Sequence, residues 1–563
     1  MARYDSKVRD LSRILLLTAA LAPSIVIAQA VPTPGVIQEE IRRQPTLPTT
    51  PSTPEFERAP APSATTGVPA GGMKIPIQRF EISGNSVIAT EELKSVVAAH
   101  EGRSMTLFEI YEVADELTNY YRSKGYSVAT VTVPAQKVGS GTVKFEVVEG
   151  RIGELTVDGN KAYRDWFLQR HITGAAPGDV IAERALERDL LLLNDLPGLT
   201  AKAVVSPGAE FGESDLTVRT EEKRLDFVTR FNNYGRTSIG EWKLEADLGI
   251  NAPLGIGDRI DFNVVHADGG KLDYFNLRYS APVSYAGTRA SAYFSRNDYK
   301  VDSDELQRGL EGLDISGDGD NFGFGLMHPL IRSRKENLYV GIAYDRVITR
   351  QRIGGLGLKS KADISLMNLN LLYSKVHEDN SFSTISANFA TNFDANDRDP
   401  ITLRPENNAQ TAKMRVDLSH LRPIVGLWSL FAKLTMVGSI DPIVDTQQFR
   451  VGGRQSVRGY ASSELAGDGG YATTVEIHRQ FVFGNNWPSR AFIFGDSGTV
   501  TRKNAASLGV ESSESISGAG IGFETLLSGR YLINLELAKQ IGSQESIDGR
   551  DGLRVWFGLT ANF

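Results

Sequence analysis

Three short stretches of the 563-residue chain place reactive residue types at chemical spacing. Gly495-Asp496-Ser497-Gly498 has the form of a serine-protease nucleophile segment, and Phe494-Gly-Asp-Ser497 that of an esterase start. Either chemistry needs a histidine placed to take the serine proton. No Asp-x-x-His follows Ser497, no Ala-x-His-Cys element precedes it, and none of the 7 histidines lies after His478. An enzyme is therefore not expected. Asp314-Ile-Ser-Gly-Asp318-Gly-Asp320 spaces carboxylates as a calcium loop does, but Phe322 stands where a further oxygen ligand is required. The expectation there is a solvated loop and no metal. Gly518-Ala-Gly520-Ile-Gly522 sits in an alternating apolar stretch with no βαβ context, which rejects a nucleotide-binding turn. With no cysteine, thiolate zinc sites, iron-sulfur clusters and disulfides are excluded. No cofactor is expected.

The elements that carry these stretches fall into three patterns. Residues 1–30 read as a secretory signal: Lys7, Arg9 and Arg13 precede the apolar run Ile14 to Ile27, and Ala28-Gln29-Ala30 supplies the small-x-small cleavage pattern. Residues 31–72 are a tether, with seven prolines between Pro45 and Pro69 and one segment, 36–43, able to make two helical turns when docked. A repeat then appears, because Phe80-Glu-Ile-Ser-Gly84-Asn85 recurs as Leu155-Thr-Val-Asp-Gly159-Asn160. Each copy, 73–150 and 151–223, predicts a βααββ unit. In the first, Thr90 is the expected cap of one helix, and Thr106 with Glu109 forms a capping box for the next, stopped at Gly125. The open sheet edge of such a module is suited to adding an extended peptide as another strand.

From 224 to 563 the period becomes two. Leu553, Val555, Phe557, Leu559, Ala561 and Phe563 share one face, with Arg554 and Asn562 on the other. Charged residues facing inward on many strands of about ten residues, joined by polar loops, fit a membrane β-barrel better than a water-soluble sandwich. Sixteen strands are expected, starting near Leu225, Trp242, Arg259, Leu272, Thr288, Asp320, Asn337, Ser365, Ser381, Ala412, Trp428, Gly470, Arg490, Ser515, Tyr531 and Leu553. Lys and Arg total 61 against 68 Asp and Glu, so no basic surplus exists to hold nucleic acid.

Between expected strands 11 and 12, residues 437–469 contain Phe449-Arg-Val-Gly452-Gly453-Arg-Gln-Ser-Val457-Arg458-Gly459-Tyr460, and Phe494-Gly495-Asp496 follows two strands later. With the first repeat's Gly125-Tyr126, Val-Pro134-Ala-Gln136 and Val148-Glu149-Gly150, these motifs make the chain resemble an outer-membrane transporter of the two-partner secretion family, within the superfamily of POTRA-bearing barrels. The resemblance spans essentially all of the chain after residue 30. It implies a 16-stranded antiparallel transmembrane β-barrel preceded by two POTRA domains in the periplasm, with residues 437–469 folded into the lumen. It implies that Arg458, in the loop-tip motif Val457 to Tyr460, pairs with Asp496 of the Phe494-x-Asp496 wall motif. Gly452, Gly453 and Gly459 would then let the tip turn, and Tyr460 would pack it. The implied function is a porin-like pore that binds a large secreted exoprotein as an extended chain through its POTRA domains and passes it to the cell surface without ATP, while residues 36–43 plug the lumen at rest. A monomer in outer-membrane lipid is expected. The alternative within the superfamily is a factor that assembles other barrels.

Overall fold

The computed structural model describes residues 32–41, 56–58, 72–306, 312–398, 411–484, 486–503, 505–550 and 552–563. The expected signal segment and most of the expected tether lie outside them. Sixteen strands close into one antiparallel barrel. The first eight are β1 Leu225–Asn232, β2 Lys243–Asn251, β3 Arg259–Ala267, β4 Leu272–Pro282, β5 Arg289–Lys300, β6 Ile315–Arg332, β7 Glu336–Ile353 and β8 Leu358–Val376. The second eight are β9 Phe382–Arg398, β10 Ala412–Val425, β11 Trp428–Ser439, β12 Gly469–Phe483, β13 Trp487–Thr501, β14 Ser513–Leu527, β15 Tyr531–Ile541 and β16 Leu553–Asn562. The expected number of strands is borne out. Two of them start well before the expected points, β6 at Ile315 rather than Asp320 and β8 at Leu358 rather than Ser365.

The wall is inverted relative to a water-soluble protein. Phe324, Leu244, Ile493 and Val555 are exposed on its outer face, whereas Asn263, Asn276, Asn297, Asn321 and Gln351 are buried on the inner one. Water must be absent outside and tolerated inside, as in a transmembrane barrel. No helix among the described residues is long and apolar enough to cross a membrane, so the strands do the crossing. The seam between β1 and β16 runs from Val228 paired with Asn562 to Asn232 paired with Gly558. Lys223 extends it by donating from Nζ to the Phe563 carbonyl at 3.0 Å.

Ahead of β1 stand the two repeats. In the first, Arg79–Ser83 pairs in parallel with Thr142–Val148, which pairs antiparallel with Thr130–Thr132. In the second, Arg151–Asp158, Glu213–Glu222 and Leu199–Pro207 pair in the same order. Each sheet buries one face under two helices, around Leu93, Leu117 and Phe145 in the first repeat and Leu168, Leu190 and Val218 in the second. The capping box of Thr106 and Glu109 forms as expected. Thr90 is not the cap of its helix: Ala89 occupies that position, and the Thr90 hydroxyl accepts from the Asn85 amide at 3.0 Å.

The repeat extends to a device that sequence spacing did not expose. The carboxylate that ends each unit reaches back to the loop after its Gly-Asn pair. Glu149 accepts from the backbone N–H of Ser86 at 2.6 Å and Val87 at 2.9 Å. Glu222 accepts from Lys161, Ala162 and Tyr163 at 3.0, 2.7 and 3.0 Å. Burial alone would raise the Glu149 carboxyl pKa, but hydrogen bonds from Ser86, Val87 and Tyr121 more than offset it and hold the group below its ordinary value.

The second repeat is fastened to the barrel turns below β5 and β6. Arg332 makes a bidentate pair with Asp195, at 2.8 Å from Nε and 2.7 Å from Nη2. The buried His171 ring packs edge-on against Tyr285, with centroids 5.1 Å apart. That fixes the polarity of the wall: odd strands begin at the repeat-bearing end and even strands begin at the distal end.

Two parts of the tether region are described. Helix α1, Pro34–Glu40, starts two residues before the expected 36, with Pro34 in the first turn where its missing N–H costs nothing. The second part gives the tether an attachment that its proline-rich sequence did not mark: Phe56–Arg58 forms a three-residue strand parallel to Leu199–Pro207, with Phe56 opposite Ala203. The open edge expected on the second repeat is occupied by the chain's own segment.

Candidate functional site: the lumen lock and plug

The loop between β11 and β12 turns back into the lumen. A small antiparallel pair, Phe449–Val451 with Leu465–Gly467, carries its tip. Gly452 and Gly453 adopt φ of 117° and 82°, which a side chain would resist, and the Gly453 N–H donates to the Tyr460 carbonyl at 3.2 Å. Val457 and Tyr460 are buried among Phe449, Val451, Leu465, Val500 and Ile516, which anchors the tip to the inner face of β13 and β14. Gly459 has a different task from the expected turn. A Cβ there would stand 2.9 Å from the Gln540 backbone nitrogen, so its lack of a side chain permits close approach to β15.

The loop brings Arg458 to the wall. Its Nε and Nη2 donate to the two oxygens of Asp496 at 2.7 and 2.8 Å, and its backbone N–H donates to the same carboxylate at 3.2 Å. The guanidinium stacks 3.3 Å above the Phe494 ring centroid. Side-chain exposure is 6% for Arg458 and 0% for Asp496, so the pair is removed from bulk water. A bidentate pair is directional, and at this burial it holds the tip in one orientation. The loop-tip residues Val457 to Tyr460 and the wall residues Phe494 and Asp496 thus meet in one place.

Several partners were not expected. Glu476 on β12 forms an ion pair with Arg458 Nη1 at 2.8 Å, and Glu536 on β15 accepts from the same nitrogen at 3.5 Å. Glu536 also accepts from Arg454 at 2.7 Å, whose guanidinium stands 4.5 Å over Tyr234. The Trp556 indole on β16 donates to the Arg458 carbonyl at 2.9 Å. Barrel register gathers them: Thr474, Asp496 and Gly518 are neighbours in one row, and Glu476, Phe494 and Gly520 in the next. The glycine run of β14 is the room this lock needs, since a Cβ on Gly520 or Gly522 would strike the Phe494 or Phe492 ring, at 2.5 and 2.1 Å. Ser497 accepts from the Ser517 hydroxyl at 3.0 Å. Asp318 and Asp320 do not lie in a solvated loop as expected; they are on β6 and pair with Arg350, and Asp320 also with Arg296.

Helix α1 lies in the distal part of the lumen. Val36 and Ile37 pack against Ile239, Leu272, Tyr299, Ile315 and Ile353. Asp445, from the same inward loop, accepts from Gly35 N–H at 2.7 Å and the Thr33 hydroxyl at 2.9 Å, and pairs with Arg450. Glu40 pairs with Lys243 of β2, both buried, and Gln351 donates to the Pro32 carbonyl at 2.7 Å. Helix α1 and the inward loop thus meet inside the lumen through Asp445.

Against known proteins, residues 212–525 match the family described as haemolysin secretion/activation protein ShlB/FhaC/HecB, and residues 75–150 match the ShlB-type POTRA domain. The heme/hemopexin transporter protein HuxB of Haemophilus influenzae strain 86-028NP is 22% identical over 98% of this chain and 99% of its own. The hemolysin transporter protein ShlB of Serratia marcescens is 23% identical over 76% of each. The structure of CdiB from Escherichia coli superposes with a TM-score of 0.68 at 20% identity, covering 88% of this chain and 92% of that one. With more than half of its length matched, the chain belongs to the ShlB/FhaC/HecB family, the two-partner secretion transporters of the outer membrane, with POTRA domains in the periplasm.

Proposed function

We propose that the POTRA pair recognises a large secreted exoprotein as an unfolded, extended chain, that the chain passes through the lumen to the cell surface without ATP, and that the Arg458 lock and helix α1 hold the pore closed at rest. What supports the recognition step is the parallel strand Phe56–Arg58 on the edge of Leu199–Pro207. An edge that accepts three residues of the tether as a parallel strand has the geometry to accept a cargo strand in their place. The unfolded cargo gains direction from folding outside, so no nucleotide is needed. A barrel-assembly role has no specific observation in its favour.

The chain's lack of cysteine makes a direct test available. Glu57 and Val204 are register partners, so Glu57→Cys with Val204→Cys tethers the strand to its edge under oxidation. Export of the partner is expected to stop when oxidised and return on reduction, and undiminished export by the oxidised form overturns the edge as the capture site. Translocation of the unfolded partner by the purified chain in nucleotide-free proteoliposomes tests independence from ATP.

A further inference from the structure

Inward positions at the distal end are fixed by contact with the plug: Tyr299, Ile315 and Ile353 pack on α1, and Gln351 bonds Pro32. The alternate residues of β5 to β8 therefore face away from the lumen, and register sorts them into rows. Nearest mid-wall, Ala292, Phe324, Tyr344 and Met367 are neighbours, followed by Phe294, Phe322, Arg346 and Ser365. This is an aromatic girdle, with Phe324 60% exposed. The next row holds Arg296, Asp320, Ile348 and Asp363; above it lie Asp298, Asp318, Arg350 and Lys361; the last holds Lys300, Ser316, Arg352 and Lys359. Successive rows are about 7 Å apart along the strand.

The lower charged rows are largely neutralised within themselves, because Arg296 pairs with Asp298 and Asp320, Arg350 with Asp318 and Asp320, and Arg346 with Asp363. The upper edge is not. Arg352 lies directly opposite Lys359, and Arg350 opposite Lys361, and among the described residues Arg352, Lys359 and Lys361 form no ion pair. Like charges directly opposed on adjacent strands repel, and all of these side chains are exposed. Cations set against one another on an outward face, just beyond an aromatic girdle, call for an external anion at headgroup height. With the POTRA domains in the periplasm, this end of β5 to β8 meets the outer leaflet.

We propose that Lys300, Arg352, Lys359 and Lys361 form a docking site for the phosphorylated sugar headgroup of an outer-leaflet glycolipid. The patch runs across four strands, about 15 Å, which suits a multi-phosphate headgroup rather than a single ion. The girdle below it would hold the acyl chains of the same lipid, so one molecule satisfies both surfaces. Guanidinium and ammonium groups both serve as phosphate partners, the first bidentate and the second as a point charge.

The test compares the full chain, purified from outer membranes in mild detergent, with Arg352→Glu/Lys359→Glu/Lys361→Glu, and counts bound glycolipid by native mass spectrometry. Retention is expected to fall at least about tenfold in the variant, since each basic residue at an anionic surface adds attraction. Re-adding phosphorylated glycolipid is expected to raise the unfolding temperature of the wild type, while the dephosphorylated form does not. Equal retention by the variant, equal retention of the dephosphorylated lipid, or equal displacement by phosphatidylglycerol vesicles each overturns the proposal. Should the triple reversal not give a folded, heat-modifiable barrel, the triple Gln variant carries the same comparison with the same outcomes.

Discussion

Removing Arg458 leaves behind more than it takes away. Asp496, Glu476 and Glu536 converge on it, and a buried pair that loses one partner costs about 3–5 kcal/mol, less where water enters. That cost falls on the tip, because no strand of the wall depends on Arg458 for its ladder. Arg458→Ala is expected to abolish secretion of the partner while the barrel still inserts and remains heat-modifiable, and wild-type export by this variant contradicts the lock. Arg458→Lys keeps the charge but loses the bidentate grip and the stacking on Phe494, so an intermediate export level is expected. Ser497→Ala is expected to leave export unchanged. Arg458 and Asp496 were legible in sequence because each sits in a compact motif. Glu476, Glu536 and Trp556 were not, because they come from three other strands and only barrel register brings them together; their one trace is an inward charge or indole in an alternating pattern, as in Thr474-Val-Glu476-Ile-His478.

At the scale of elements, α1 and the inward loop are mutually dependent. Seven helical residues do not hold together alone in water, and Asp445 supplies the carboxylate that accepts from the Gly35 N–H in the helix's first turn. Loss of such a cap costs about 1 kcal/mol, or roughly fivefold in population. Asp445→Ala is therefore expected to raise the time-averaged conductance of single barrels in planar bilayers several-fold, with the wall intact; an unchanged record argues against α1 as the plug. The strand count was legible because apolar alternation marks each crossing. The early starts of β6 and β8 were not, since beyond the girdle the outward positions carry Asp318, Asp320, Lys359 and Lys361, and a charged outward face reads as loop. The same reasoning misplaced Asp318 and Asp320 in a solvated loop, where of the three carboxylates only Asp314 lies.

For the whole molecule, the question is how firmly the periplasmic part is held to the pore. His171 is buried between Phe167 and Tyr285, and burial lowers its pKa below the ordinary value; the hydrogen bond with the Phe167 carbonyl and the charge of Asp189 oppose this by less, and Arg289 adds to the lowering. A histidine held neutral in the fold contributes stability above its free pKa, about 6.5, and loses that contribution as pH falls below it. Docking of the second POTRA domain is expected to loosen between about pH 7 and pH 5, read as a broadened spin-label distance between that domain and the barrel rim. Burial raises the Asp189 pKa, an effect of opposite sign, so the comparison that decides is with His171→Phe: equal pH dependence in the two chains removes His171 as the cause. The segment from Ile41 to Phe56 has one further consequence. The chain is inside the distal lumen at Ile41 and on the second POTRA domain at Phe56, and the residues between them reach at most about 50 Å when fully extended, against a hydrocarbon thickness of about 30 Å. Seated in this way, the segment is a short leash that limits how far α1 can travel, and a cargo strand that displaced Phe56–Arg58 from its edge would lengthen it.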